Sequence, residues 1–349
     1  MGEKVYFRVV DSSSSSRRES LGKALEYLPQ YPKDSFVAIK ITIGDKDCQS
    51  NLKPELVAEV VEKVKSLGAK PFVFDTNVIY KGQRTNAVDH MNLAYKKGFT
   101  PQVIKAPFIV ADGIFGFDGR ELEVNYQHIK KIKAPSLVGI VDNLIVLSHI
   151  TGHIMTSYAG AIKNVGMGMS TRSGKQIQHS SVKPHVIVKK CVMCGACIEI
   201  CPVSAILKKD EKANIDSKIC VGCGECLCAC LYDAISVNWK EDYTIFGQRM
   251  VEYALGILSK FKNKFFINFA FDITKECDCI ARAGEPIISK DLGILASTGL
   301  LAVEKATVDL LNDKEDIFLK AQHSSLYLDQ LNYVAKLSQK DLSYELVRL

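Results

Sequence analysis

The stretch FVAIKITIGDKDCQSNLKPELVAEVVEKVKSLGAKPFVFD, residues 36–75, reads as strand, helix, strand. Phe36–Ile43 is a nearly continuous apolar run rich in β-branched side chains, the pattern of a parallel strand buried on both faces. Pro54 stands near the start of a helix, where its missing N–H is not needed. Leu56, Val57, Val60, Val61, Val64 and Leu67 line one side of that helix, and Gly68 is its stop. Pro71–Asp75 then supplies a second apolar strand, and a β–α–β order implies a parallel sheet with a right-handed crossover.

Working outward, residues 4–10 read as a strand, the serine run from Ser12 as a flexible loop, and Arg17–Leu28 as a helix with Leu21, Leu25 and Leu28 on one face. In the other direction come a helix near Asn86–Lys97 stopped by Gly98, strands at Phe108–Ala111 and Leu144–Ser148, and a glycine-rich stretch. After Trp239 the alternation resumes with a helix over Ile245–Lys260, a strand at Phe265–Phe271 and a helix at Leu300–Leu311. The expected fold class is α/β, a mostly parallel sheet flanked by helices.

Between the two halves, CVMCGACIEICP and CVGCGECLCACL repeat C-x2-C-x2-C-x3-C at a fixed offset, and Ala205-Ile206 recurs as Ala234-Ile235. Three thiolates on one tight loop suit three corners of an iron–sulfur cubane, whereas a zinc ribbon gives no reason for the third cysteine. The segment resembles bacterial two-[4Fe-4S] ferredoxins. That resemblance implies one cluster on Cys191, Cys194, Cys197 and Cys230, and another on Cys220, Cys223, Cys226 and Cys201. Leu231 stands where the first copy has Pro202. Since the elements after the repeat look like those before it, the expected organisation is a ferredoxin-like module over 185–240 inserted into one α/β domain built from 1–184 and 241–349.

At 349 residues, 47% of them hydrophobic, the chain can bury a sizeable core. No apolar run is long enough to span a membrane, and the charged N-terminal residues do not read as a signal peptide, so a soluble cytoplasmic protein without membrane contact is expected. Twelve cysteines in such a chain are metal and redox ligands rather than a disulfide framework. The net charge of +6 is spread without a basic run, which argues against nucleic acid and leaves an acidic redox partner or plain solubility.

Ligands of open α/β sheets bind at the carboxyl ends of the strands, and those ends are polar here: Asp75-Thr76-Asn77, Asp112-Gly113, Ser148-His149 and Asp272. His149 and His153 would point the same way on a helical turn, toward a metal ion or an anion, or else form a buried hydrogen-bonded pair. KNVGMGMSTRSGK (163–175) combines three glycines with Lys163, Arg172 and Lys175 and suits phosphate or carboxylate. It is not a Walker A loop, because the spacing is one residue too long and Gln176 follows Lys175. Cys277-Asp278-Cys279 can chelate a soft metal or trap a reactive species, while Cys48 and Cys228 look like spare buried thiols.

DTNVIYKGQRTNAVDH (75–90), HITGH (149–153), GAIKNVGMGMSTRSGK (160–175), the cysteine repeat, DITKECDC (272–279) and GILAS (293–297) together resemble the iron–sulfur family built on domain of unknown function number 362. The resemblance implies that His149, His153, Lys163, Lys175, Cys277 and Cys279 belong to one site, without naming a reaction. Three functions follow as expectations. The first is an oxidoreductase passing low-potential electrons from two [4Fe-4S] clusters to a small anion held by Lys163, Arg172 or Lys175. The second is a metal- or cofactor-assembly protein with an additional metal on Cys277, Cys279 and the histidines. The third is a ferredoxin-type electron carrier that docks a redox partner protein.

Overall fold

The computed structural model describes residues 2–11, 13–80, 82–179, 183–237 and 242–349. Eight strands form the central sheet: β1 (Glu3–Val9), β2 (Phe36–Lys40), β3 (Lys70–Asp75), β4 (Phe108–Val110), β5 (Asn143–His149), β6 (Asn263–Ala270), β7 (Gly293–Ser297) and β8 (Tyr344–Arg348). Their order across the sheet is β8-β1-β7-β6-β5-β2-β3-β4. From β6 to β4 every neighbour is parallel. β7 runs antiparallel to both β6 and β1. The reason is local: residues 271–292, which join β6 to β7, contain no helix to carry a crossover, so the chain returns in the opposite direction.

Alternation along the inner strands explains why helices cover both faces. Ile145, Leu147, Ile267 and Phe269 enter one core, with α1 (Ser14–Leu25), α2 (Pro54–Ser66) and α3 (Ala87–Lys96) above them. Leu144, Val146, Phe266 and Ala270 enter the other, against α4 (Ala161–Gly166), α6 (Tyr243–Leu258), α7 (Leu300–Leu311) and α8 (Leu326–Ser338). In α2 the expected stripe is buried from Leu56 to Val64, each side chain stabilising by about 1.5–3 kcal/mol as an upper bound. Gly68 takes a φ of +81°, which closes that helix where a Cβ would be strained.

The serine run is a helix start rather than a loop. Ser13 caps α1 by accepting from the Ser16 backbone N–H, so Ser14–Ser16 lie in the helix; Ser12 and Trp239 fall outside the described residues. The reason is that serine competes with helices in their interiors but favours their N-termini.

β5 and β6 are hydrogen-bonded neighbours, from Asn143–Asn263 to His149–Phe269, although residues 150–262 lie between them in sequence. Within that interval Pro184–Val186 pairs with Ile235–Val237, and Ile206–Lys209 with Lys212–Ile215. Ile206, Ala213, Leu227 and Ile235 pack with Cys191, Cys197 and Cys226 in a third, separate core. Residues 238–240 of the expected 185–240 boundary lie outside the described residues. Among the described residues no helix is long and apolar enough to cross a membrane.

Candidate functional site

A cavity of about 380 Å³ opens at the carboxyl edge of the parallel strands. Thr42 beyond β2, Asp75 and Thr76 at the end of β3, and Ser148 and His149 at the end of β5 form its floor. α4 brings Lys163 and Asn164; Lys175 comes from α5 (Arg172–Gln178), and the β6–β7 connection brings Cys277, Asp278 and Cys279. All six residues expected to share one site, His149, His153, Lys163, Lys175, Cys277 and Cys279, line this cavity.

Residues 277–280 form a tight turn, with the Ile280 and Ala281 N–H groups both donating to the Cys277 carbonyl at 2.9 Å. The turn carries both thiols to Lys163, whose Nζ donates to Cys277 Sγ at 3.4 Å and to Cys279 Sγ at 3.7 Å. The two thiols also hydrogen-bond each other, so they hold one proton between them. The hydrogen bond from Cys279 and the Lys163 ammonium outweigh burial and bring Cys277 down to about 6. The same hydrogen bond, with burial, pushes Cys279 up to about 12. Burial opposes the Lys163 charge, yet the paired sulfurs raise its pKa. Cys277 is thus a thiolate near neutral pH, and Cys279 a thiol.

His149 presents Nδ1 to both Asp278 carboxylate oxygens at 2.9 and 3.0 Å, and Nε2 to the Phe271 carbonyl at 2.9 Å. Both ring nitrogens donate, so His149 is an imidazolium with no lone pair for a proton or a metal. Burial works against that charge, but Asp278 raises the pKa regardless. Asp278 in turn receives Cys48 Sγ at 3.5 Å, and its carbonyl accepts the Asp45 N–H at 2.8 Å. His149 therefore positions the Cys-x-Cys turn. Because its folded pKa is raised, its stabilisation is complete below the ordinary histidine pKa of about 6.5 and fades as pH climbs through the folded value. The melting-temperature deficit of His149→Asn is expected to be largest near pH 6 and to shrink toward pH 9, checked by thermal scans at fixed rate.

Residues 149–153 do not form a helical turn: β5 ends at His149, Thr151–His153 pairs as a strand with Ser157–Ala159, and each imidazole is held by its own partners. His153 Nδ1 accepts the Met155 N–H at 3.3 Å and the Thr156 N–H at 3.2 Å. Burial and Lys163 drive its pKa far down, leaving a neutral ring that carries its proton on Nε2. Among the described residues around this cavity, no three His, Cys, Asp or Glu side chains are gathered to hold one metal ion.

The glycine-rich stretch is not an open anion loop. The Met167 and Gly168 N–H groups both donate to the Lys163 carbonyl, and the glycines instead permit close packing. A Cβ on Gly166 would stand 2.4 Å from the Met250 carbonyl oxygen, and one on Gly168 2.1 Å from that of Asn164. Arg172 does not reach the cavity either; it donates to the carbonyls of Val78 at 3.0 Å and Phe115 at 3.4 Å. Asp272 is paired with Arg17 of α1 at 2.7 Å. Asp112 receives the Asn77 N–H at 2.9 Å, and burial pushes its pKa up to about 7.

A buried ionic group behind the cavity is not apparent from motif spacing. Lys40, fully buried on β2, donates to Asp75 at 3.0 Å and to Asn164 at 2.8 Å. Arg84 lies 3.9 Å from Asp75, and donates to Tyr80 Oη at 2.6 Å and to the Cys279 carbonyl at 3.3 Å. Burial would raise the Asp75 pKa, but Lys40, His90 and Arg84 together hold it well below the carboxylate range. Lys175 donates to Thr76 Oγ1 at 2.6 Å and to the Ser170 carbonyl at 2.5 Å, and burial lowers it to about 8. The sequence signal was a lone lysine inside the apolar run FVAIKITI, opposite an aspartate closing PFVFD.

The eight repeat cysteines surround two small hollows. Cys191, Cys194, Cys197 and Cys230 line one, and Cys201, Cys220, Cys223 and Cys226 line the other. Backbone N–H groups point at the sulfurs: Ala205 to Cys201 at 3.2 Å, Ala213 to Cys191 at 3.4 Å, Gly222 to Cys220 at 3.4 Å and Ala234 to Cys230 at 3.2 Å. Such donors suit thiolates, so this donor set fits a pair of four-thiolate clusters. The second hollow lies against α5. A Cβ on Gly224 would stand 2.3 Å from the Gln176 Cβ, and Glu225 pairs with Lys133. Cys228 is buried and lines neither hollow.

The family model described as domain of unknown function (DUF362) matches residues 37–309. No curated protein matches the chain. Among solved structures, the lactate racemase apoprotein from Thermoanaerobacterium thermosaccharolyticum is 14% identical with a TM-score of 0.38, over 76% of this chain and 51% of that one. A Thermotoga maritima protein is 12% identical with a TM-score of 0.41, over 91% of this chain and 59% of that one. The chain thus spans just over half the length of these structures.

Proposed function

The chain belongs to the DUF362 family, and we propose that it is an iron–sulfur oxidoreductase acting on a small anion in the cavity at the carboxyl edge of the sheet. Cys191, Cys194, Cys197 and Cys230 would hold one [4Fe-4S] cluster, and Cys201, Cys220, Cys223 and Cys226 the other, which makes the 185–240 segment a ferredoxin-like module. When bound, such clusters supply electrons one at a time. The observation that carries this reading is the placement of α5: the second four-cysteine hollow abuts it at Gln176, while Lys175 of the same helix lines the cavity. One short helix thus borders both spaces through neighbouring residues.

The charges of the cavity support an anionic substrate. Lys163, Lys175, Arg84 and, behind the wall, Lys40 are set against Asp75, the Cys277 thiolate and, outside the lining, an Asp112 whose acidity burial has weakened, while the His149 and Asp278 charges cancel. The excess is positive, and a buried positive excess favours an anion more strongly than the same charges would in water. Cys277 is the nucleophile, and Lys163 holds its negative charge. His153 offers an Nε2–H, and Lys175, at about 8, can give a proton near neutral pH. Ile154, Met155, Met167 and Phe246 form an apolar wall that accommodates the substrate body.

Anaerobic purification followed by iron and sulfide analysis is expected to find about eight of each per chain, falling to about four in Cys220→Ser. Failure to find iron would overturn the proposal. A further metal that disappears when Cys277 and Cys279 become serine would favour the cofactor-assembly reading instead.

A further inference from the structure

A mechanism that needs one thiolate has no task for Cys279. Yet Cys279 is held beside Cys277 in the same turn, with one ammonium at 3.4 Å from one sulfur and 3.7 Å from the other. The turn, fixed by the two N–H bonds to the Cys277 carbonyl, carries both sulfurs to the one Lys163 ammonium. The turn is clamped from outside as well. Tyr80 and Arg84 donate to the Cys279 carbonyl, and Asp278 between the two cysteines is gripped by His149. A thiolate, an adjacent thiol and a fixed cation in a cavity of net positive charge are the parts of a thiol–disulfide exchange centre.

We propose that Cys277 and Cys279 are such a pair, and that the cavity takes a small disulfide carrying carboxylates. The proposal deepens the oxidoreductase reading by naming its substrate class. Cys277 Sγ attacks one substrate sulfur, the substrate S–S bond breaks, and one half departs as a thiolate that takes the Cys279 proton. The Cys279 sulfur then attacks the Cys277 sulfur of the mixed disulfide and expels the second half as a thiolate. The substrate gains two electrons, and the pair loses two as the Cys277–Cys279 bond forms. Two electrons and one proton restore the starting thiolate and thiol; an added dithiol delivers them as a pair in vitro.

The test exposes the reduced, purified protein anaerobically to dithiodiglycolate or to cystamine, disulfides of similar size and opposite charge. After acid quench and alkylation, the peptide carrying both cysteines is weighed and the released thiol counted. The expected result is a peptide lighter by two hydrogens that takes no alkyl group, two thiols released per chain, and a reaction at least about tenfold faster with dithiodiglycolate. Cys279→Ser should stop at a mixed disulfide on Cys277 with one thiol released, and Cys277→Ser should release none from this peptide. Wild-type protein in which both cysteines remain alkylatable overturns the exchange centre, and equal rates for the two probes overturn the anionic substrate class. A chain that closes the pair but binds no iron leaves this inference standing and sinks the iron–sulfur reading. One that binds its iron and never closes the pair does the reverse.

Discussion

Lys163→Met is expected to move the midpoint of Cys277 alkylation up from about 6 toward the ordinary thiol value of about 8.5. The sign follows from charge. The hydrogen bond from Cys279 and the ammonium at 3.4 Å favour the thiolate, whereas burial of the sulfur favours the thiol; removing the ammonium leaves the Cys279 hydrogen bond alone to offset burial, and the midpoint rises. Near pH 7 the thiolate fraction should drop, by roughly thirtyfold at most if the midpoint reaches the ordinary thiol value, since each pKa unit is a factor of ten. The measurement is the pH dependence of iodoacetamide labelling, followed on the peptide that carries Cys277. Methionine keeps the volume of the side chain, so a midpoint that stays near 6 would mean that Lys163 does not set the reactivity of the pair.

The second large effect concerns Asp75. Asp75→Asn leaves Lys40, fully buried, and Arg84, nearly so, without their shared carboxylate, and removing one partner of a buried ion pair costs about 3–5 kcal/mol. A clear fall in melting temperature at fixed scan rate is expected. Because the folded pKa of Asp75 is depressed, its contribution is complete above the ordinary aspartate value of about 3.9 and is lost only as pH falls through the folded one. The deficit should therefore stay constant between about pH 5 and 8, unlike that of His149→Asn. Adding Lys40→Met should recover part of the loss by removing one stranded charge. A double variant no more stable than Asp75→Asn would show that Lys40 is not the stranded partner.

The parallel half of the sheet was legible because burial on both faces leaves long apolar runs at 36–43, 71–75 and 265–271, and α2 because its stripe keeps helical period between Pro54 and Gly68. The direction of β7 was not, since GILAS reads alike parallel or antiparallel and only the helix-free connection before it decides. In the candidate site the residues that share the cavity were nameable, but their roles were not. A pair of histidines four apart carries no mark that one is locked between Asp278 and Phe271 while the other accepts from Thr156. Glycines at 166 and 168 look the same whether they open a loop to an anion or let α4 touch Met250. Arg84 and His90 sat inside the quoted segment 75–90, yet nothing in the spacing shows that they converge on Asp75.

β1 has only late neighbours. Tyr6 lies opposite Ala296 on one side and Val347 on the other, so in order of synthesis both edges of that strand stay open while almost all of the remaining chain is made. The 184–237 segment closes on itself much earlier, through pairings that span a few dozen residues at most. The cysteine hollows can thus take shape on a nascent chain whose sheet is still incomplete, whereas β1 can be seated between β7 and β8 only once those late strands exist.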